Sequence, residues 1–335
     1  MTHEHAGGSP RLSIIVEWDN AQLAELERAK EMLRRLATQV PAWARSHAPG
    51  DANPVETLIM FNDEEVDADD LARLVEEHLP AETSGTTVRL VEARGKAFYA
   101  LKNHGAETAR GDLLVFVDSD VIPDPDWLER LVAPFDDPGV RIVAGHTYTD
   151  PAGIYGKAFA LTWLYDLRYT EPRLEPIDFI WTNNFAVRRE TFLEFRFPLM
   201  DDIGSARGGC YIMSCNMREA GITIWCARGA QVCHPAPNGV RHFVDRGLAQ
   251  GRDDFLIRRA LGNDSSLTLL ATVRRFLGKE WWSVRRIVGL GRRVGLGPHQ
   301  APVALVIAGA YYVAFFAGQL ATKVAPERML SAIRV

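Results

Sequence analysis

LLVFVDSD, Leu113 to Asp120, decides how the rest of this chain is read. Five apolar residues run into two carboxylates with one serine between them. A short continuous apolar run rich in Val predicts a strand buried on both faces, as in the middle of a parallel sheet. Asp118 and Asp120 then fall at its C-terminal end, the edge at which open α/β sheets place their ligands. Two carboxylates one residue apart suit a hard divalent cation that keeps waters and shares phosphate oxygens. An Asp-rich turn is the other reading, because Asp side chains bond nearby backbone N–H groups.

Working outward, LSIIV from Leu12 reads as a first strand and VETLIMFND, Val55 to Asp63, as a second. Between them Leu23, Leu26, Leu33 and Leu36 recur at helical spacing from Ala21, with Pro41 just past the expected end. A helix over Asp69 to His78 and a third strand, VRLVEA from Val88, lead to a Gly-Lys turn, another helix and the LLVFVDSD strand. After it come a proline-opened helix (PDPDWLERLVAPF), a strand from Arg141, and WTNNFAV, Trp181 to Val187, expected as a strand beside the site. Alternating strands and helices predict an α/β sandwich around a mainly parallel sheet.

Composition is that of an ordinary globular protein, 47% apolar and 24% charged over 335 residues. The net charge of −5 conceals an asymmetry. Residues 1–240 carry 23 Lys/Arg against 37 Asp/Glu, whereas residues 241–300 carry 12 against 5. No nucleic-acid recognition motif accompanies the basic part. The four cysteines (210, 215, 226 and 233) lack the paired CxxC spacing of a zinc site and read as buried thiols. MTHEHAGGSPR has no apolar core of a signal peptide, so the main domain is expected in the cytoplasm.

The order of these pieces carries a resemblance. SIIV, an acidic residue after the second strand, GK followed by KN.G and A.GD, and a strand ending in DSD are similar to the family-2 glycosyltransferases of the GT-A fold. TNNFAVRRETF and the closing AG-I-I…GA-V-HP segment agree, so the resemblance covers roughly residues 11–240. It implies a Rossmann-like GT-A domain that binds a nucleotide-sugar, by default a UDP-sugar, with Mn²⁺ or Mg²⁺. By position, Asp118, Asp120 and His234 match the family's metal ligands. Glu17 and Asp63 match contacts to the base and ribose, although Glu17-Trp18-Asp19 stands where the family more often has Pro-Thr-Tyr. Lys96 and Asn103, with Lys102 beside it, match positions near the diphosphate; a solvated helix face is the alternative for Lys102. Trp181, Asn183 and Asn184 match a strand facing donor or acceptor, and Trp181 equally suits a core.

The family's catalytic base is usually the Asp of a Glu-Asp pair about a dozen residues before the closing AG. Here Gly209-Cys210 occupies that place. Asp202, with Asp201 as second choice, is the nearest carboxylate, and Arg207 offers a diphosphate contact instead. The missing pair admits a second function, a non-catalytic GT-A scaffold binding a nucleotide or partner at the membrane. A nucleotidyltransferase is disfavoured, because the first strand has no Gly-rich triphosphate loop.

Beyond residue 240 the expected organisation is basic amphipathic helices over 241–300, a transmembrane helix over 301–323 and a tail over 324–335. Arg246, Gln250 and Arg252 are further candidates for the diphosphate, with a solvated basic helix as the alternative. TVRRFLGKEWWSVRRIVGLGRRVG interleaves Arg with Trp281 and Trp282, which suits an anionic bilayer surface. Ala301 to Thr322 holds 22 residues without a charge, long enough to span at ~1.5 Å per residue; a buried core helix is the alternative. The basic excess before it is expected to place the catalytic part on the cytoplasmic side and the tail outside, whereas a re-entrant or interfacial segment would keep both ends inside. The expected partners are a nucleotide-sugar, membrane lipid, and a glycan or polyprenyl-lipid acceptor.

Overall fold

The structure, a computed structural model, describes residues 11–23, 26–49, 54–80, 86–199 and 207–333. They fall into two compact units. The first comprises Met1–Thr147, Tyr169–Phe197 and Cys210–Cys233; the second comprises Tyr148–Arg168, Pro198–Gly209 and His234–Val335.

The first unit is built on one sheet. Its strands are β1 (Leu12–Glu17), β2 (Val55–Phe61), β3 (Thr87–Glu92), β4 (Leu113–Asp118), β5 (Ile122–Pro123), β6 (Ile142–Thr149), β7 (Leu174–Ile177), β8 (Asn184–Arg188) and β9 (Ile224–His234). They run in the order β3-β2-β1-β4-β8-β6-β9-β5, with β7 on β9. The pairs β3-β2, β2-β1 and β1-β4 are parallel, whereas β4-β8, β8-β6, β9-β5 and β9-β7 are antiparallel. β1 and β2 are buried along their whole length, which is why they read as unbroken apolar runs. Parallel register brings Glu17 opposite Asp118, so the acidic ends of two central strands meet at one edge.

The helices of this unit are α1 (Asp19–Leu23), α2 (Leu26–His47), α3 (Ala68–His78), α4 (Tyr99–Thr108), α5 (Trp127–Val132), α7 (Arg189–Glu194) and α8 (Gly209–Glu219); α6 (Gly153–Thr162) belongs to the second unit. Two elements differ from the sequence expectation. Pro41 lies inside α2, not beyond it. Proline removes one backbone donor, but Val40, Pro41, Trp43 and Ala44 are all buried, and that packing offsets the loss. The strand expected from Trp181 begins only at Asn184.

The second unit also contains α9 (Gly239–Ala260), α10 (Leu269–Leu290), α11 (Ala301–Val324) and α12 (Pro326–Ala332). Ala158, Leu161, Ile287, Ala304 and Ala308 form its small core. α9 and α11 approach backbone to backbone. A Cβ on Gly247 would lie 2.8 Å from that of Ala314, and one on Gly251 would fall on the Phe315 carbonyl. Small residues at i and i+4 permit this contact.

Candidate active site

The centre of the candidate site is a buried knot of charge at the β1 and β4 strand ends. Lys102, in the first turns of α4, is 2% exposed. Its Nζ lies 2.6 Å from Asp118 Oδ1 and 3.2 Å from Glu17 Oε2. Asn20 Nδ2 donates to Glu17 Oε2 at 2.7 Å and to Asp118 Oδ2 at 3.1 Å. A lysine is buried this deeply only when paired, so Lys102 is a fixed part of the site and not a solvated helix residue. Neither Lys102 nor Asn20 announces this in the sequence. Lys102 comes from a helix of weak amphipathicity, and its partners lie on two different strands, Glu17 85 positions before it and Asp118 after it in the chain.

The carboxylates outnumber the ammonium. Burial pushes the Glu17 carboxyl up to about 8; Lys102 opposes the shift, while Asp118, Asp19 and Asp120 reinforce it. Burial works against the charge on Lys102, but Asp118 and Glu17 outweigh it and raise its pKa. Lys102 is therefore cationic, and Glu17 keeps its proton at neutral pH chiefly because burial disfavours its charged form, with the neighbouring aspartates adding to the shift that Lys102 opposes.

Asp120 follows in the turn after β4 and is 7% exposed. Arg28 of α2 clamps this turn, donating from Nε to the Asp120 carbonyl at 3.1 Å and from Nη2 to the Cys233 carbonyl at 2.9 Å. Among the described residues no three His, Cys, Asp or Glu side chains converge as a complete metal cage. The donor set nonetheless fits a hard divalent ion. A surplus of buried carboxylate attracts a cation, and one or two carboxylates completed by water and phosphate oxygens is how Mg²⁺ is commonly held.

Next to this knot the loop before α4 is held in a strained form. Phe98 has φ 44°, an outlier for a bulky residue, and its N–H donates to Asp19 Oδ2 at 2.9 Å. Gly95 has φ 67° and donates to Asn62 Oδ1 at 2.9 Å, which places Lys96 in the turn. Asp63, at the end of β2, stands 4.0 Å from Arg94. Asp19 and Asn62 are thus organising residues that the sequence reading did not single out.

Several candidates prove to be scaffold. Asn103 clamps Phe197, donating to its carbonyl at 2.8 Å and accepting from its N–H at 3.2 Å. Asn184 accepts from Trp127 Nε1 at 2.7 Å and donates to the carbonyls of His146 and Ala230. Its amide is spent on joining strands. Asn183 Oδ1 accepts from Thr147 at 3.0 Å, and Trp181 packs edge-on against Phe179. Cys210, at the place of the expected base, is buried against the Tyr99 hydroxyl, and burial pushes its thiol pKa up. A protonated buried thiol is neither base nor nucleophile. Asp201 and Asp202 lie outside the described residues.

The second unit holds the remaining candidates. His234 Nδ1 lies 2.6 Å from the Pro235 carbonyl, which only accepts, so the contact calls for a proton on Nδ1. In the neutral imidazole that proton leaves Nε2 as the nitrogen able to bind a metal. Its ring packs against Trp163 and Tyr165. His242 has its pKa lowered by burial and by Arg246, His234 and Arg207, with Asp245 opposing. Arg246 also lies 6.0 Å from the centre of the Trp163 ring. This cationic group suits an anion such as a diphosphate. Gln250 and Arg252 do not extend it. Gln250 accepts from the Tyr311 hydroxyl at 2.6 Å. Arg252 is 1% exposed, paired with Asp253 at 2.8 Å, and bonded to the carbonyls of Met329 and Ile333. It fastens the C-terminal helix.

A half-parallel α/β sheet with acidic strand ends and a clamped DxD turn defines the GT-A class of nucleotide-sugar-binding folds. The sequence profile of Glycosyl transferase family 2 matches residues 29–196, and the chain belongs to that family. It is 30% identical over 153 residues to glycosyltransferase AglE of Haloferax volcanii, a match covering 44% of this chain. The match spans 47% of AglE, about half of that relative's length. Among solved structures it is similar to the mannosyltransferase PcManGT of Pyrobaculum calidifontis, in complex with GDP-Man and Mn²⁺, at a TM-score of 0.54 and 16% identity. That superposition covers 95% of this chain and 88% of the other.

Proposed function

We propose that the chain transfers a sugar from a nucleoside-diphosphate sugar to an acceptor hydroxyl with inversion, using Mn²⁺ or Mg²⁺ at the Asp118–Asp120 turn. The observation that carries this is the buried surplus of carboxylates around Lys102 at the strand ends. Asp120 and Asp118 hold the cation, and His234 is the candidate third ligand. When bound, the cation neutralises charge developing on the departing diphosphate. Lys102 and Asn20 fix the Asp118 carboxylate, and Arg28 fixes the turn that carries Asp120. Glu17, Asp63 and Lys96 serve the nucleoside and phosphate end, while Arg207, His242 and Arg246 receive the diphosphate. Asp202, or Asp201, removes the proton from the acceptor hydroxyl.

A UDP-sugar is the starting donor, with GDP-mannose beside it because the Pyrobaculum neighbour holds GDP-Man. The basic C-terminal part supports a lipid-linked or cell-surface glycan acceptor and a catalytic part facing the cytoplasm. The test is release of nucleoside diphosphate from a panel of UDP- and GDP-sugars with Mn²⁺ and Mg²⁺. Asp120→Asn is expected to lower turnover at least about a hundredfold, the size of a lost charge-stabilising contact of ~2.7 kcal/mol. No turnover with any donor and either metal sinks the reading.

One observation favours a second reading. With Cys210 where the base is expected, a non-catalytic scaffold would bind nucleotide without turnover. Calorimetric binding of UDP or GDP with no product over a broad acceptor panel selects it.

A further inference from the structure

We propose that the second unit docks on an anionic lipid bilayer through the outer faces of α10 and α11, with α11 lying in the membrane surface and not crossing it. This deepens the membrane reading above and rests on it.

By length and hydropathy alone α11 qualifies as a span, since Pro298–Val324 has a mean hydropathy of 1.8 over its most apolar window. Its surroundings argue otherwise. One side of α11 is built into the second unit, with Tyr311, Tyr312, Phe315, Gly318 and Thr322 buried. α9 runs alongside in the same direction, from Gly247 at Ala314 to Asp254, which accepts from Gln319 Nε2 at 2.6 Å. At Gly251 and Gly318 no side chain separates the two backbones, and at Gly247 only the Ala314 methyl does. α9 also carries Arg246, Arg252, Asp253, Asp254 and Arg258. A spanning α11 would drag these ionised groups into hydrocarbon, where charged residues are costly and rare.

The outer side has the character of an interfacial helix pair. α11 exposes Val303, Val306, Ala310, Val313 and Ala317, a stripe at helical spacing in which Val306 is 70% exposed. α10 packs antiparallel to it, Phe276 against Phe316 and Lys279 over Tyr312 and Phe315. The outward side of α10 exposes Leu270, Leu277, Trp281, Trp282 and Val288, with Trp281 64% exposed.

Charge selects the occupant. Residues 269–300 carry seven Lys/Arg and one Glu. That Glu280 is turned towards α11, with Oε2 3.7 Å from where a Cβ on Gly309 would sit. Arg274, Arg285, Arg292 and Arg293 are exposed. Tryptophan among arginines, beside an apolar stripe and with the acidic residue turned away, matches the boundary between anionic headgroups and acyl chains.

Flotation of the full-length protein with vesicles of phosphatidylglycerol or phosphatidylcholine tests this, together with sodium carbonate washing of membranes from producing cells. The expected result is salt-sensitive binding to phosphatidylglycerol, weak binding to phosphatidylcholine, and release by carbonate. Arg285→Glu/Arg292→Glu/Arg293→Glu is expected to weaken phosphatidylglycerol binding at least about tenfold with an unchanged circular dichroism spectrum. Trp281→Ser, a single exposed change, serves as the second variant and weakens it severalfold. Resistance to carbonate would show a spanning helix and overturn the proposal. Failure to float with either vesicle would assign the face to a protein partner, and equal binding to both lipids would remove the role of the arginines. Donor hydrolysis in solution is measured on the same preparation, so failure of docking and failure of the transferase reading are separate results.

Discussion

Lys102 is where chemistry and stability meet at the scale of single residues. Its ammonium pairs with Asp118 and bonds the protonated Glu17 inside the sheet edge, so removing it strands the buried Asp118 carboxylate. Lys102→Met is expected to lower stability by about 3–5 kcal/mol in urea denaturation, and Asp118→Asn in the same background recovers part of the loss. The pH dependence has a definite sign. Glu17 titrates near its ordinary value when unfolded and at about 8 when folded, so the native state holds more protons between those values. Its contribution is fully present below about 4.5 and is lost as pH rises through about 8. Stability measured in chelator across this window should fall with pH in the parent more steeply than in Glu17→Gln. At this scale the acidic positions were legible, because Asp118 and Asp120 end a recognisable strand. Lys102, Asn20, Asn62 and Arg28 were not, since each is defined by partners that only the folded sheet brings near. Asn103 and Asn184 show the converse: an amide suited to sugar is equally suited to tying backbone.

At the scale of elements, the α9–α11 contact and the α10 surface make opposite predictions for the same kind of change. Gly251 sits where a Cβ would meet the Phe315 carbonyl, so Gly251→Val is expected to cost about 3 kcal/mol or more by thermal denaturation. Gly278, in α10, has nothing within 4 Å of an added Cβ. Gly278→Ala should stabilise by about 0.5–1 kcal/mol, the ordinary helix preference. If both changes were neutral, the backbone-to-backbone packing of α9 and α11 would be wrong. The sequence located these helices by spacing and composition. It read the apolar stretch of α11 as a membrane span, with a buried core helix or an interfacial segment as the alternatives, because length and hydropathy do not reveal which side of a helix its own neighbours bury.

For the whole molecule, the Asp118–Asp120 turn and the proposed docking face belong to different compact units, and a single variant should separate turnover from docking. Asp120→Asn is expected to lose turnover while floating with phosphatidylglycerol vesicles as the parent does. By itself the sequence determined the succession of strands and helices, the acidic ends of three strands, and the family. Those rest on local apolar runs, turn residues and ordered motifs, which act over a few residues. Only the tertiary structure decided that Lys102 is an interior cation, that the sheet turns antiparallel beyond β4, that Arg252 fastens the C-terminus, and that α11 lies against a charged helix. These depend on which distant residues share a low-dielectric interior, and the cost of burying charge there, not local preference, fixes the outcome.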